Sequence, residues 1–233
     1  MKRLSLGLTL LAALACAPAV STTSTTTAAR PAAIPANTPE LPIVSDAVAE
    51  SLLVDVRSLE PSIIVDMRYA TPNNFTGAVI PGYEANRAFL RREAAQALAR
   101  VQRRALAQGY SLKIYDAYRP VRATLGMVEW THRVGREDLL RDEYIASRSR
   151  HNLGLAVDLT LVDRASGREL AMGTPFDTFS PAAHTANATG EAARNRALLR
   201  QLMEAEGFVN YEKEWWHYTM DVPNPVRFDM VVR

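Results

Sequence analysis

The stretch Ser149-Arg150-His151-Asn152-Leu153-Gly154-Leu155-Ala156-Val157-Asp158 decides the fold, and Glu214-Trp215-Trp216-His217 completes it nearer the C-terminus. A fully extended chain would place His151 and Asp158 roughly 23 Å apart, whereas ligands of one metal ion lie within a few ångströms of each other. The backbone must therefore turn between them, and Gly154 can adopt the positive φ that such a turn needs. Two histidines and one aspartate would supply three protein ligands of a catalytic zinc and leave its fourth position to water.

The residues after the turn predict a β-strand over 154–163. Leucines and valines alternate there with small or polar residues, which indicates one face in the core and Asp158 on the other. Residues three apart on a regular strand point to opposite faces, so Glu214 and His217 can share a site only if Glu214 lies in a turn. We therefore expect the next strand to start near Trp216. Glu214 could then take a proton from the attacking water and pass it to the leaving amine.

Taken one at a time, these residues also have ordinary structural explanations. The chain contains four histidines, and a lone histidine is more often a surface or hydrogen-bonded core residue than a ligand. Asp158 alone could cap a turn. His132 and His184 have no partners at matching spacing, and we interpret both as surface residues.

The remaining pattern predicts an α+β fold with a small antiparallel sheet and flanking helices. Short β-branched runs predict strands at 52–56, 63–67, 111–118, 208–211 and 216–220. Apolar residues spaced by three and four predict a helix over 87–108, and a further helix is expected from 121 to about 134. A last helix is predicted from a cap at Thr189 to Gly207, with Leu198, Leu202 and Ala205 on its inner face. The turn-rich segment 69–83 is long enough to be a binding loop.

The N-terminus is typical of an exported protein. Met1-Lys2-Arg3 precedes an apolar run that ends at Cys16, the only cysteine of the chain. This predicts a lipoprotein-type signal segment at 1–16, with cleavage after Ala15 or Ala17, or a free structural cysteine, as the alternatives. Residues 17–41 are rich in threonine, alanine and proline and predict a flexible tether, and residues 42–233 form the folded domain. We expect a periplasmic or cell-envelope location, with membrane contact only through this anchor.

The net charge of the chain argues against nucleic acid as a partner. The formal net charge of this 233-residue chain is +2 and its basic residues are spread along it, so nucleic-acid binding has no support.

The ordered pattern Ser-x-His-x-x-Gly-x-Ala-x-Asp followed by Glu-x-x-His resembles the signature of the zinc D-Ala-D-Ala peptidases, which share a fold with the Hedgehog signalling domain. Further similar stretches narrow the resemblance to the D-alanyl-D-alanine dipeptidases of the vancomycin-resistance type. They run from about residue 50 to the C-terminus and comprise Tyr69-Ala70-Thr71, Asn74-Phe75-Thr76-Gly77, Gly82-Tyr83-Glu84, Tyr118-Arg119-Pro120, Met172-Gly173, Phe176-Asp177 and Glu214-Trp215-Trp216-His217-Tyr218.

The resemblance implies a role for each residue of the zinc centre. His151, Asp158 and His217 match the zinc ligands of the family, which implies one zinc ion per chain. Glu214 matches the catalytic base. Arg119 matches an arginine that stabilises the oxyanion formed when water adds to the peptide carbonyl; without the resemblance, a salt bridge at a strand end would be the ordinary interpretation.

The resemblance also implies the substrate, the dipeptide D-Ala-D-Ala. Asp177 and Tyr69 match positions that hold its free ammonium group, and Ser149 matches another polar group in contact with it. Because an exported enzyme cannot reach cytoplasmic D-Ala-D-Ala, turnover or recycling of dipeptide released from peptidoglycan is the expected role. The rival hypotheses are a D,D-carboxypeptidase or endopeptidase of the same fold that cuts larger muropeptides, and a non-catalytic wall-binding domain that keeps the zinc ligands.

Overall fold

The computed structural model describes Met1 and residues 40–233. The predicted signal segment and nearly all of the predicted tether lie outside the described residues, so their assignments stay predictions. Within residues 40–233, no helix combines the length and the apolar character needed to cross a membrane.

A five-stranded sheet forms the centre of the fold, in the order β2-β4-β5-β7-β6. Its strands are β2 (Ile64–Val65), β4 (Tyr110–Asp116), β5 (Ala156–Asp163), β6 (Val209–Asn210) and β7 (His217–Thr219). All neighbouring strands are antiparallel except β2 and β4, which are parallel. A parallel pair needs a long crossover connection, and the helix α3 (Arg92–Ala107) lies in the chain between these two strands. The α+β class is confirmed, and the sheet is mixed at this one edge.

A second, two-stranded sheet pairs β1 (Leu53–Asp55) with β3 (Phe89–Arg91) and changes two predicted elements. The predicted strand 52–56 is shortened because α1 (Asp46–Leu52) precedes it and α2 (Val56–Leu59) follows it. The predicted helix 87–108 begins only at Arg92, because residues 89–91 pair with β1. Pairing between segments distant in sequence overrides the local helical pattern at this point.

Three longer helices flank the sheets. The prediction for α4 (Val121–Val134) matches its observed bounds. The helix α6 (Gly190–Glu204) follows Thr189 as predicted, although that side chain makes no capping hydrogen bond. Its predicted inner face needs correction, because Ala205 is exposed and the buried residues of α6 include Arg196. The short helix α5 (Asp138–Arg141) completes the helices of the described part.

Both faces of β5 are buried along almost its whole length, which corrects the expectation of one core face only. The side chain of Asp158 faces an enclosed site rather than solvent, and the residue is 3 % exposed. The pairing register of β5 places Asp158 opposite Asp116 of β4 and opposite His217 of β7. A bulge between Ile114 and Asp116 shifts the register there, which sets Asp116 directly across from Asp158. The central three strands therefore bring these side chains to one place.

Candidate active site

The predicted turn between His151 and Asp158 is present. Residues Arg150–Leu153 form a 3₁₀ turn that ends at Gly154, whose φ is 63°. A Cβ atom at Gly154 would lie 2.6 Å from Leu53 Cδ2 and 3.1 Å from the Arg91 backbone nitrogen. Glycine is required here for its conformation and for the close approach of β1 and β3.

His151, Asp158 and His217 form the one group of potential metal ligands found among the described residues. His151 Nε2 lies 3.2 Å from His217 Nδ1 and 3.3 Å from Asp158 Oδ2, and His217 Nδ1 lies 2.9 Å from Asp158 Oδ1. The ligand atoms of a tetrahedral zinc ion with bonds of about 2.0 Å lie about 3.3 Å from each other. The three side chains thus already have the spacing of one zinc coordination shell.

Neighbouring groups set the tautomer of His151 and the pKa values of the other two ligands. His151 Nδ1 lies 2.5 Å from the Ala117 carbonyl, which can only accept a hydrogen bond, so Nδ1 carries the proton and the Nε2 lone pair faces the site. Burial lowers the pKa of His217 despite the nearby Asp158 carboxylate. Burial alone would raise the pKa of Asp158, but the two imidazoles outweigh it and hold that pKa well below its ordinary value. A neutral imidazole and an ionised carboxylate are the forms that bind a metal.

Glu214 lies in the turn that leads into β7, as expected, and β7 starts one residue after the expected Trp216. The Oε2 atom of Glu214 is 3.8 Å from His217 Nδ1, and Glu214 is 8 % exposed. Burial, followed by the charges of Asp158 and Asp177, raises the pKa of Glu214 well above its ordinary value. A carboxyl group with a raised pKa is, once ionised, a stronger base than an ordinary glutamate, and it lies beside the ligand set.

Arg119 is fixed by Asp116, a residue that the sequence did not single out. Its Nε and NH2 groups donate to Asp116 Oδ2 at 2.9 and 2.8 Å, and Tyr83 Oη donates to Asp116 Oδ1 at 2.5 Å. The same NH2 group is 3.8 Å from Asp158 Oδ2. The strand-end salt bridge that the sequence allowed for Arg119 is thus present, and it aims the guanidinium at the ligand set. An acidic residue three positions before Arg119, at the end of a predicted strand, was the available signal for Asp116.

Asp177 and Tyr69 come together from segments 108 residues apart. Tyr69 Oη donates to Asp177 Oδ1 at 3.0 Å. The other carboxylate oxygen, Oδ2, is buried and has no hydrogen-bond partner within the described part of the chain. Burial and then the charge of Asp158 raise the pKa of Asp177 to about 8. A buried carboxylate oxygen without a donor provides a place for a cationic group.

The remaining candidate residues have local contacts. Ser149 Oγ accepts a hydrogen bond from the His151 backbone N–H at 3.2 Å, which caps the 3₁₀ turn. Its contact with substrate stays a prediction. His132 is exposed, as expected. His184 is half-buried, with Nε2 3.1 Å from Tyr144 Oη, so it is less exposed than expected.

Two histidines and an aspartate at zinc spacing, with a buried glutamate and a fixed arginine beside them, define the site of a metallopeptidase. Residues 49–225 match the family model of the D-Ala-D-Ala dipeptidases, peptidase family M15. The chain belongs to this family and is a metallopeptidase hydrolase.

Individual relatives agree with that family. The chain is 39 % identical to a D-alanyl-D-alanine dipeptidase of Enterococcus faecalis, over 69 % of this chain and 87 % of the relative. It is 37 % identical to a D-alanyl-D-alanine dipeptidase of Streptomyces coelicolor, over 73 % of this chain and 92 % of the relative. A solved vancomycin-resistance D,D-dipeptidase in complex with a D-Ala-D-Ala phosphinate analogue aligns with a TM-score of 0.39 at 17 % identity, over 72 % of this chain and 66 % of that chain.

Proposed function

We propose that this protein is a zinc-dependent dipeptidase that hydrolyses D-Ala-D-Ala, with one zinc ion held by His151, Asp158 and His217. The observation that carries the substrate assignment is the buried, unpaired Oδ2 atom of Asp177 in the described structure, close enough to Asp158 to respond to its charge. A free dipeptide brings an ammonium group to within one residue of its scissile bond. That group would supply the donor that Asp177 lacks.

The chemistry follows from the positions of Glu214 and Arg119. When bound, the zinc ion supplies Lewis acidity toward the attacking water and the scissile carbonyl. Glu214 takes a proton from that water and delivers it to the leaving amine. Arg119, fixed by two contacts to Asp116, stabilises the negative charge that develops on the carbonyl oxygen. A lysine could not reproduce this planar pair of donors.

The rival hypothesis of a carboxypeptidase predicts a different binding partner for Asp177. A carboxypeptidase acting on a larger muropeptide would meet an amide nitrogen, not an ammonium, one residue before the scissile bond. A neutral amide does not compensate a buried carboxylate as a cation does. A non-catalytic wall-binding domain would need neither Glu214 nor Arg119 beside the ligands.

Asp177→Asn tests the substrate assignment. An ionic hydrogen bond contributes about 1.5–3 kcal/mol, so we expect kcat/KM for D-Ala-D-Ala to fall by roughly 10- to 150-fold. Hydrolysis of N-acetyl-D-Ala-D-Ala, which has no ammonium group, should change far less. The control is Asp163→Asn, at the far end of β5 from the ligands. An unmodified enzyme that prefers the acetylated dipeptide would contradict the dipeptidase assignment and support the carboxypeptidase.

The Asp177→Asn variant should also be more stable against unfolding than the wild type. A carboxyl group whose pKa is raised to about 8 in the folded protein keeps a proton that the unfolded chain loses near pH 4. Folded-state stability therefore falls as the pH rises from about 4 to about 8. We expect Asp177→Asn to raise the Tm of the metal-stripped protein at pH 8 and to have less effect at pH 5. Equal effects at both pH values would contradict this origin.

The location is a separate proposal. We propose that Cys16 is acylated and anchors the enzyme in the cell envelope through residues 17–41, where it turns over D-Ala-D-Ala released from peptidoglycan. The support is the apolar run that ends at Cys16 and the tether composition. Cys16→Ala should move the protein from the membrane fraction to the soluble fraction without changing kcat/KM. Recovery of the wild-type chain soluble and unacylated would favour simple secretion.

A further inference from the structure

Arg196 on α6 is a buried charge with an unusual set of partners. The residue is 2 % exposed, and burial lowers the pKa of its guanidinium. Within residues 40–233, no carboxylate forms an ion pair with it, and its hydrogen bonds go to backbone carbonyls alone. Burying a charge without a counter-charge lowers stability, so this arrangement calls for a specific role.

The carbonyls bound by Arg196 lie at the two ends of one loop. Nε donates to the Met172 carbonyl at 2.7 Å, NH1 to the His184 carbonyl at 2.7 Å and NH2 to the Ala182 carbonyl at 3.0 Å. One guanidinium therefore closes the loop 172–184, which has Asp177 near its middle. The planar fork suits this task, because its donors point in several fixed directions at once.

The approach of the loop to Arg196 depends on a glycine. Gly173 has φ +86°, and a Cβ atom there would lie 3.0 Å from Ala192 Cβ and 3.3 Å from Arg196 NH2. The backbone at the start of the loop therefore lies directly against α6. Trp215 provides further anchors, since its indole donates to Thr174 Oγ1 at 2.9 Å and its backbone N–H to the Ala183 carbonyl at 3.1 Å. Loss of Arg196 should loosen the loop without releasing it.

The loop in turn carries the side chains that enclose the ammonium position. Phe176 stacks on Tyr115 with ring centroids 4.8 Å apart and contacts Trp216 edge-on at 5.4 Å. The next residue, Asp177, has φ +60°, a left-handed conformation that is costly for a residue with a side chain. Such a conformation persists only where the surrounding structure holds the backbone firmly.

We propose that Arg196 is a positioning residue for substrate recognition: by binding both ends of the loop 172–184 it holds the Asp177 carboxylate where the ammonium group of the dipeptide binds. Arg196 touches neither the ligand set nor the substrate and acts only through the loop. This inference rests on the proposed function.

The test is Arg196→Lys, which keeps the charge and loses the fork. A displacement of about 1 Å can reduce activity by about 10²-fold, so we expect KM for D-Ala-D-Ala to rise roughly 10- to 100-fold. The kcat value, the zinc content and kcat/KM for N-acetyl-D-Ala-D-Ala should stay within about 3-fold of the wild type. The matched control is Arg200→Lys, one turn later on α6, where the arginine is exposed and pairs with Glu204.

A double-mutant cycle separates positioning from general support of the fold. If Arg196 acts through Asp177, adding Arg196→Lys to Asp177→Asn should cause little further loss on D-Ala-D-Ala. Additive losses, or equal losses on the free and acetylated substrates, would overturn the inference. Failure of both Arg196→Lys and Arg196→Gln to fold would also overturn it, by assigning the residue to folding. A wild-type enzyme that prefers the acetylated substrate would instead overturn the proposed function, and this inference with it.

Discussion

Glu214→Ala should reduce kcat/KM for D-Ala-D-Ala by about 10³-fold or more while the protein stays folded and keeps its zinc. General acid–base catalysis contributes about 10²- to 10⁴-fold, and the variant also loses the group that orients the attacking water. Glu214 lies beside His217, with Oε2 3.8 Å from Nδ1, but is not one of the three ligands. Activity should therefore fall without loss of metal, which zinc analysis and steady-state kinetics would measure together.

Glu214→Ala should lower the activity but raise the stability of the folded protein, because the pKa of Glu214 is raised by folding. Burial and then the Asp158 and Asp177 charges raise this pKa well above that of a carboxyl group in the unfolded chain. Between the two values the folded protein retains a proton that the unfolded chain has lost, so its stability falls as the pH rises through that interval. Glu214→Ala should therefore unfold at a higher Tm than the wild type near pH 8, with a smaller difference near pH 5, in metal-stripped protein.

Two controls make the result specific. Glu214→Gln preserves the shape of the side chain but cannot accept the proton, so its activity should be nearly as low as that of Glu214→Ala. Glu212→Ala changes an exposed glutamate in the same turn and should retain nearly full activity. If Glu214→Ala kept more than about a hundredth of the wild-type rate, the 10²-fold minimum for a general base would not be met. Loss of zinc from this variant would instead place Glu214 in the coordination shell.

His217→Ala should lose both the metal and the activity. Changing a residue that only supports a zinc ligand lowers metal affinity by about 10- to 100-fold, and removal of a ligand should exceed this. After dialysis, the wild-type protein should hold about one zinc per chain and the variant far less. Chelation of the wild type should likewise abolish hydrolysis, and added zinc should restore it.

The matched control for His217→Ala is His132→Ala. His132 is an exposed histidine on α4, so its loss should leave zinc content and kcat/KM unchanged. Circular dichroism is needed beside the zinc measurement, because His217 also forms a partly buried pair with Asp158 at 2.9 Å and its removal can destabilise the fold. A folded His217→Ala protein with stoichiometric zinc would remove His217 from the ligand set.

The sequence by itself determined the features that depend on local pattern. Alternation after Gly154 indicated β5, a helix was expected close to the observed bounds of α4, and Gly154 between His151 and Asp158 required the turn that the structure contains. Motif order led to the M15 dipeptidase family, which the family match and the relatives confirm. Residues as far apart as His151 and His217 could be paired only because they resemble a known signature.

Tertiary structure alone decided the features that depend on contacts between distant segments. The register of β4 and β5 placed Asp116 opposite Asp158, and the pairing of β1 with β3 replaced the first turn of a predicted helix. Arg196 gave no signal in the sequence, because an arginine that binds backbone carbonyls leaves no pattern of residue types at its partners. Backbone carbonyls are common to every residue, so only the folded chain shows which of them an arginine meets.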